Sequence, residues 1–307
     1  MTLALFLIQA LNGLQLGVLL FLMAAGLTLV FGIMNFVNLA HGSMYMMGAF
    51  FAAALYNTTG SFVMALLLLV PAMAALGLAV EWVALRRLYN RDHLDQVLAT
   101  FGLILFFNEL ARIIWGNSPV YMEVPDFLLG TVSILGVNYP LYRAVIILAG
   151  LLVAAGCYLL IHRTRVGMLI RAGASNSQMV GALGVNIVLL NSVLFALGAV
   201  LAGLAGLLAG PIMSVQAGMG EPILILTMVV IVIGGIGSIR GAFLASLIVG
   251  VVDTLGRTAL PALLRSFLER SSADVAGPAL ASMMIYILMA IVLAIKPQGL
   301  FPVKTPS

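Results

Sequence analysis

The residues that could do chemistry in this chain sit where its apolar pattern is broken. One break runs Gly32-Ile33-Met34-Asn35-Phe36-Val37-Asn38-Leu39-Ala40-His41-Gly42-Ser43, and a second runs Gly234-Gly235-Ile236-Gly237-Ser238-Ile239-Arg240-Gly241. Backbone N–H and C=O groups released at a break cannot face lipid, so they must line a cavity or be buried in protein. Paired breaks point to a substrate path, because the N-terminus of a half-helix offers free N–H groups and a positive dipole end to an anionic group. Tight turns between helices would leave the same pattern. Gly42-Ser43…Gly48-Ala49-Phe50 also echoes Gly237-Ser238…Gly241-Ala242-Phe243, a weak sign of duplication.

Isolated polar residues extend the candidate path. Asn12 and Gln15 lie three apart on one helical face, as do Asn35 and Asn38. With His41, Ser43, Gly237 and Ser238 they form the candidate path or gate. Hydrogen bonding between helices accounts for such residues as well as a pore does. His41 opens the stretch after the first break, where a structural and a gating histidine would look alike. Glu109 and Arg112, and Asp253 and Arg257, are spaced to form local ion pairs. Glu81, close to Arg86, reads as a boundary residue.

Enzymatic and metal signatures are missing. The two lysines, Lys296 and Lys304, lie outside any G-x-x-x-x-G-K-[ST] context, so ATP and its magnesium, if used, belong to another subunit. No cofactor is expected on this chain. Three scattered histidines and one cysteine make no metal site. The single Cys157 excludes an internal disulfide and reads as a small buried apolar residue.

The elements that must position these groups follow from composition. Of 307 residues, 63% are apolar and 8% charged, against about a quarter charged in soluble domains. Soluble enzymes are excluded. The net charge of +4 reports loops on one membrane face, so nucleic acid is rejected as a partner. Apolar runs of bilayer-crossing length recur at Leu3–Ile33, His41–Tyr56, Phe62–Leu85, Val97–Trp115, Ala144–Ile161, Ile187–Ile212, Pro222–Ile236, Ala242–Leu260 and Pro278–Ile295. Two of these are short, which predicts an all-α, polytopic transmembrane helical bundle of eight or nine spans forming one domain. The first run has no preceding Lys or Arg and no cleavage site, and reads as a retained helix. A stripe of Gly198, Ala202, Gly206 and Gly210 predicts close helix packing.

Loop charges set the expected orientation. Arg86, Arg87 and Arg91 share one loop, Arg163, Arg165 and Arg171 another, and Lys296 and Lys304 the tail. The stretch 116–142 has no Lys or Arg and carries Glu123 and Asp126. By the positive-inside rule the basic loops and C-terminus are cytoplasmic, and the N-terminus and 116–142 face outward. The long basic loop 163–186 reads as a partner-docking element. Arg171 and Ala174 lead into Met179, Val180, Ala182 and Leu183, with Met179, Val180 and Leu183 expected on one apolar helical face.

The run Gly26-Leu27-Thr28-Leu29-Val30-Phe31-Gly32 through Asn35, Asn38 and His41-Gly42 resembles the signature of the branched-chain amino-acid ABC permeases. So do Gly234-Gly235-Ile236-Gly237-Ser238 with Gly241-Ala242, and the tail Lys296-Pro297-Gln298-Gly299-Leu300-Phe301. The resemblance implies a pore-forming subunit in the bacterial inner membrane, driven by ATP hydrolysed in separate subunits. Implied partners are a second, homologous permease, two cytoplasmic ATPases and a periplasmic binding protein. Two departures stand out. Arg240 replaces an apolar residue or proline common in that family, and Asn176-Ser177-Gln178-Met179 lacks an acidic residue often found there. The same family includes urea and short-chain amide permeases. An ion-coupled secondary amino-acid transporter is the alternative of another class, but such a mechanism needs unpaired ionisable groups inside the membrane.

Overall fold

The computed structural model describes residues 3–34, 36, 38–89 and 91–301; Asn35 and Lys304 lie outside them. The described elements are α1 (Leu3–Met34), α2 (His41–Thr59), α3 (Phe62–Val83), α4 (His93–Trp115), β1 (Thr131–Ile134), β2 (Val137–Pro140), α5 (Leu141–Arg163), α6 (Arg165–Ala182), α7 (Ile187–Ala209), α8 (Gly220–Gly234), α9 (Ile239–Leu264) and α10 (Arg270–Ile295). The result is a nearly all-α, multi-pass membrane bundle. Seven helices (α1, α3, α4, α5, α7, α9 and α10) are long and apolar enough to cross a bilayer. The 15-residue α8 is apolar but shorter. α2 is long enough yet more polar. It packs against α3, α4, α7 and α8, so it needs no lipid-facing apolar surface, and every residue from His41 to Phe50 is buried.

α1 is the axis of the bundle, contacted by α5, α7, α8 and α9. Small residues permit this density, because removing Cβ lets backbones approach closely. A Cβ added to Gly17 would stand 2.8 Å from the Ser246 carbonyl oxygen on α9, and one on Gly26 would stand 2.9 Å from the Gly198 oxygen on α7. The small-residue stripe of α7 thus serves two neighbours, with Gly198 against α1 and Gly206 against the Tyr45–Ala49 backbone of α2.

The ends of the bundle differ. Arg86, Arg163, Arg165, Arg171, Arg240 and Lys296 lie at the end where α3, α5 and α10 finish and α9 begins. At the opposite end the β1–β2 hairpin lies between α4 and α5, turning at Leu135 and Gly136 with φ of 50° and 79°. Two left-handed residues in a two-residue turn match the strand twist, but Leu-Gly is a weak signal for it, and the sequence read this stretch as a plain loop.

Candidate functional site

The first break is a fold-back. The His41 Nε2 donates to the Met23 carbonyl oxygen at 3.1 Å, which fixes the tautomer because a carbonyl only accepts. Met23 lies eleven residues before the end of α1, or ~16 Å back along its axis at 1.5 Å per residue. The chain therefore returns into the bundle before α2 begins. α8 begins at the same place, since a Cβ on Gly42 would stand 2.7 Å from the Gly220 carbonyl oxygen. α2 and α8 meet N-terminus to N-terminus beside α1, and two positive dipole ends converge.

Polar groups at this junction are buried or half-buried and incompletely satisfied. Glu221, in the first turn of α8, accepts from Asn108 Nδ2 at 2.5 Å, while Asn108 Oδ1 accepts from the Gly218 N–H at 3.2 Å. The second Glu221 oxygen has no hydrogen-bond partner. Ser43 is buried in the first turn of α2. Asn38, fully buried, leaves both its amide nitrogen and its amide oxygen unpartnered. Buried polar groups are ordinarily paired, so these unpaired atoms make the junction a candidate site.

The second break is a tight α8–α9 turn. Gly235 and Gly237 adopt φ of 101° and 82°, which glycine tolerates without strain. Ser238 Oγ caps α9 by accepting from the Gly241 N–H at 3.1 Å. The tail motif is its clamp, for Leu300 N–H donates to the Ile233 oxygen at 2.9 Å and Phe301 N–H to the Gly234 oxygen at 3.0 Å. A Cβ on Gly32 would lie 3.4 Å from Gly237 Cα, so the two breaks adjoin. Gly237, Ser238, Thr28 and Gly32 line a cavity of about 300 Å³. The sequence echo between Gly42 and Gly237 does not survive. Gly42 lies opposite Gly220, and Ser43 lies inside a helical turn whereas Ser238 caps one.

Asn12 and Gln15 lie at the hairpin end, apart from the other candidates. Asn12 Oδ1 accepts from Arg143 at 2.7 Å and from the Tyr139 hydroxyl at 3.1 Å, tying β2 and α5 to α1. Burial raises the Tyr139 phenol above its ordinary range. Gln15 shares with Arg143 and Thr254 a cavity of about 270 Å³. The candidates thus occupy three levels along α1, and Asn12 and Thr28 are ~24 Å apart on its axis.

The docking residues divide too. α6 kinks at Asn176 (φ −157°, ψ 94°), whose side chain accepts from the Met179 N–H at 2.9 Å and caps a second short segment. Arg171 and Ala174, before the kink, line the 300 Å³ cavity. Met179, Ala182 and Leu183 are exposed, but Val180 is buried and does not share their face. The shared face expected for Met179, Val180 and Leu183 is corrected accordingly: helical spacing cannot tell which side of a short kinked segment packs inward.

Sequence reasoning missed Glu81. Far from a boundary residue, its side chain is fully buried. It accepts from Arg86 Nε at 3.2 Å and Nη2 at 2.9 Å, from the Tyr89 hydroxyl at 2.8 Å and from Ser192 at 3.0 Å. Tyr89 in turn meets Phe36 of the first break edge-on at 6.0 Å. The spacing of Glu81, Arg86 and Tyr89 was visible, but Ser192 is 111 residues away. Glu109–Arg112 at 2.5 Å and Asp253–Arg257 at 2.9 Å are the expected local ion pairs.

Residues 9–293 match the family described as branched-chain amino acid transport system / permease component. The chain belongs to this family. This permease is 31% identical over 310 residues to the high-affinity branched-chain amino acid transport system permease protein BraD of Pseudomonas aeruginosa, covering 96% of this chain and 95% of that protein. It is 28% identical to the permease protein LivH of Escherichia coli over the same shares. A probable branched-chain amino acid transport permease protein LivH of Methanocaldococcus jannaschii is 28% identical over 77% of this chain and 76% of its own length. No solved structure matches the chain.

Proposed function

We propose that the chain is the membrane-spanning permease subunit of an ATP-driven importer carrying branched-chain amino acids across a bacterial inner membrane. The observation that carries this reading is the end-to-end similarity to the relatives' transport permeases, over 96% of this chain and 95% of BraD. Their names favour branched-chain amino acids over urea or short-chain amides. ATP is hydrolysed by two partner ATPases, and a second, homologous permease completes the pore opposite a periplasmic binding protein. The path runs beside α1, with the α2–α8 junction as its narrowest part. There Asn38, Ser43 and His41 stand near the gate, beside the Glu221 carboxylate in the first turn of α8. The exposed Met179, Ala182 and Leu183 dock into an ATPase groove.

The arginine-rich end is cytoplasmic in this reading. At the hairpin end Arg112, Arg257 and Arg265 are ion-paired with Glu109, Asp253 and Asp274 while Arg143 and Arg270 are not, whereas at the other end Arg86 is paired with Glu81 and Arg87, Arg91, Arg163, Arg165, Arg171 and Arg240 have no acidic partner among the described residues. The unneutralised charge therefore concentrates at one end. In a Cys157→Ala background, Ser133→Cys in β1 should react with an impermeant thiol reagent outside intact cells, and Gln178→Cys only after lysis. The reverse pattern inverts the assignment.

The function is tested by leucine uptake in cells carrying this permease with its partner subunits. Uptake should require the ATPases, survive collapse of ion gradients, and be competed by isoleucine and valine but not by urea. Uptake without the ATPases, driven by an ion gradient, would refute the proposal.

A further inference from the structure

α5 and α9 both pack on α1 and leave a groove between them. Its floor is Phe21, and its walls are Leu151, Ala155 and Tyr158 on one side and Phe243 and Leu244 on the other, enclosing about 600 Å³. At the arginine-rich end this apolar groove meets the 300 Å³ cavity, and His162, Ile239 and Arg240 line both. The cavity has a different character. Arg171 and Ser175 line it with Ser238, Ile239 and Arg240 at the start of α9, and the buried Thr28 hydroxyl, also in its lining, has no hydrogen-bond partner among the described residues.

Arg240 marks the junction. Its Nη2 donates to the Tyr158 hydroxyl at 3.4 Å and to His162 Nε2 at 3.3 Å, and its guanidinium lies 5.4 Å from the Tyr158 ring centroid. Because arginine only donates, His162 accepts at Nε2 and carries its proton on Nδ1, which donates to the Tyr158 carbonyl at 3.0 Å. In this arrangement the imidazole accepts from the guanidinium and orients it. Neither Arg240 nor Arg171 has an acidic partner among the described residues. Two unneutralised guanidiniums, the start of α9 and an unpartnered buried hydroxyl line the cavity that joins the apolar groove at the arginine-rich end.

We propose that this is a binding site for an anionic phospholipid, its phosphate held by Arg240 and Arg171 and one acyl chain lying between α5 and α9. The groove accounts for the tail and the cavity for the charge. A zwitterionic lipid would fill the groove and offer the same phosphate, but its own cation would offset that charge, and free phosphate would meet the arginines without filling the groove. Basic pockets between membrane helices on a positively charged face bind anionic headgroups by this combination.

The test is native mass spectrometry of the purified transporter complex titrated with phosphatidylglycerol or phosphatidylcholine of identical chains. Each basic residue near a charged headgroup is worth about fivefold in affinity, so phosphatidylglycerol should bind at least about fivefold more tightly. Arg240→Gln should remove most of that preference. Ala155→Trp, which fills the groove, should weaken both lipids alike, and millimolar inorganic phosphate should displace neither. Equal binding of the two lipids, a preference untouched by Arg240→Gln, or displacement by phosphate would overturn the site. So would efficient cross-linking of Leu244→Cys to the second permease subunit, which would make the groove an interface between subunits.

Discussion

Gly42 and Gly220 stand backbone against backbone, so that a Cβ on Gly42 would fall 2.7 Å from the Gly220 carbonyl oxygen and 3.0 Å from Leu224 Cβ. Neither contact is with the free end of a flexible chain, so the neighbours cannot yield without moving α8. Gly42→Ala should therefore push the two half-helices apart, at a cost of about 1–3 kcal/mol typical of overpacking, and reduce uptake to about a tenth or less. Gly102→Ala is the control, for nothing lies within 4 Å of a Cβ there. Uptake by Gly42→Ala equal to that of Gly102→Ala would mean that the junction is not the narrow point of the path.

Asn38 separates stability from function. Its amide is buried with neither nitrogen nor oxygen paired, and such a group costs roughly 1–3 kcal/mol of desolvation. Asn38→Leu should leave the melting temperature of the purified permease unchanged or raise it, while lowering uptake severalfold. A variant that melts early and transports normally would reduce Asn38 to a packing residue.

Glu81 should behave in the opposite way. Glu81→Leu strands the Tyr89 hydroxyl and removes the carboxylate partner of the Arg86 guanidinium, while Ser192 keeps the Val188 carbonyl as its acceptor. Leaving a buried hydroxyl without its acceptor costs about 1–3 kcal/mol, so the melting temperature should fall by several degrees, and Glu81→Gln, which keeps an acceptor, should fall less. Burial first, and then the bond to Glu81, raise the Tyr89 phenol well above its usual value of 10. Since the folded state holds that proton more tightly, this stabilisation is complete below pH 10 and is lost as the pH rises beyond it. Equal melting of wild type and Glu81→Leu at neutral pH would remove the network from the account.

The exposed segment after the α6 kink carries the docking prediction. Ala182 and Leu183 are exposed and Val180 is buried, so Leu183→Arg tests the surface without disturbing the interior, as Val180→Arg would. The expected permease inserts and melts normally but loses the ATPase on purification. Normal co-purification with normal uptake would place the docking surface elsewhere.

Much of this architecture was already determined by the order of residue types. A chain that is 63% apolar and 8% charged has to cross a membrane repeatedly, and its helices must carry small residues where they touch. The stripe Gly198–Gly210, the ion pairs Glu109–Arg112 and Asp253–Arg257 and the signature segments were legible because each depends on neighbours within a few residues. Tertiary structure alone decided what meets across long separations. His41 reaches back to Met23, Gly42 abuts Gly220, Leu300 clamps Ile233, and Glu81 finds Ser192. The reason is physical. Helical period and loop charge specify which faces are apolar and which end is basic, but not which helix covers which face. Asn38 is buried, and Arg240 exposed without an acidic partner among the described residues, through the way the helices were assembled rather than through their neighbours in sequence.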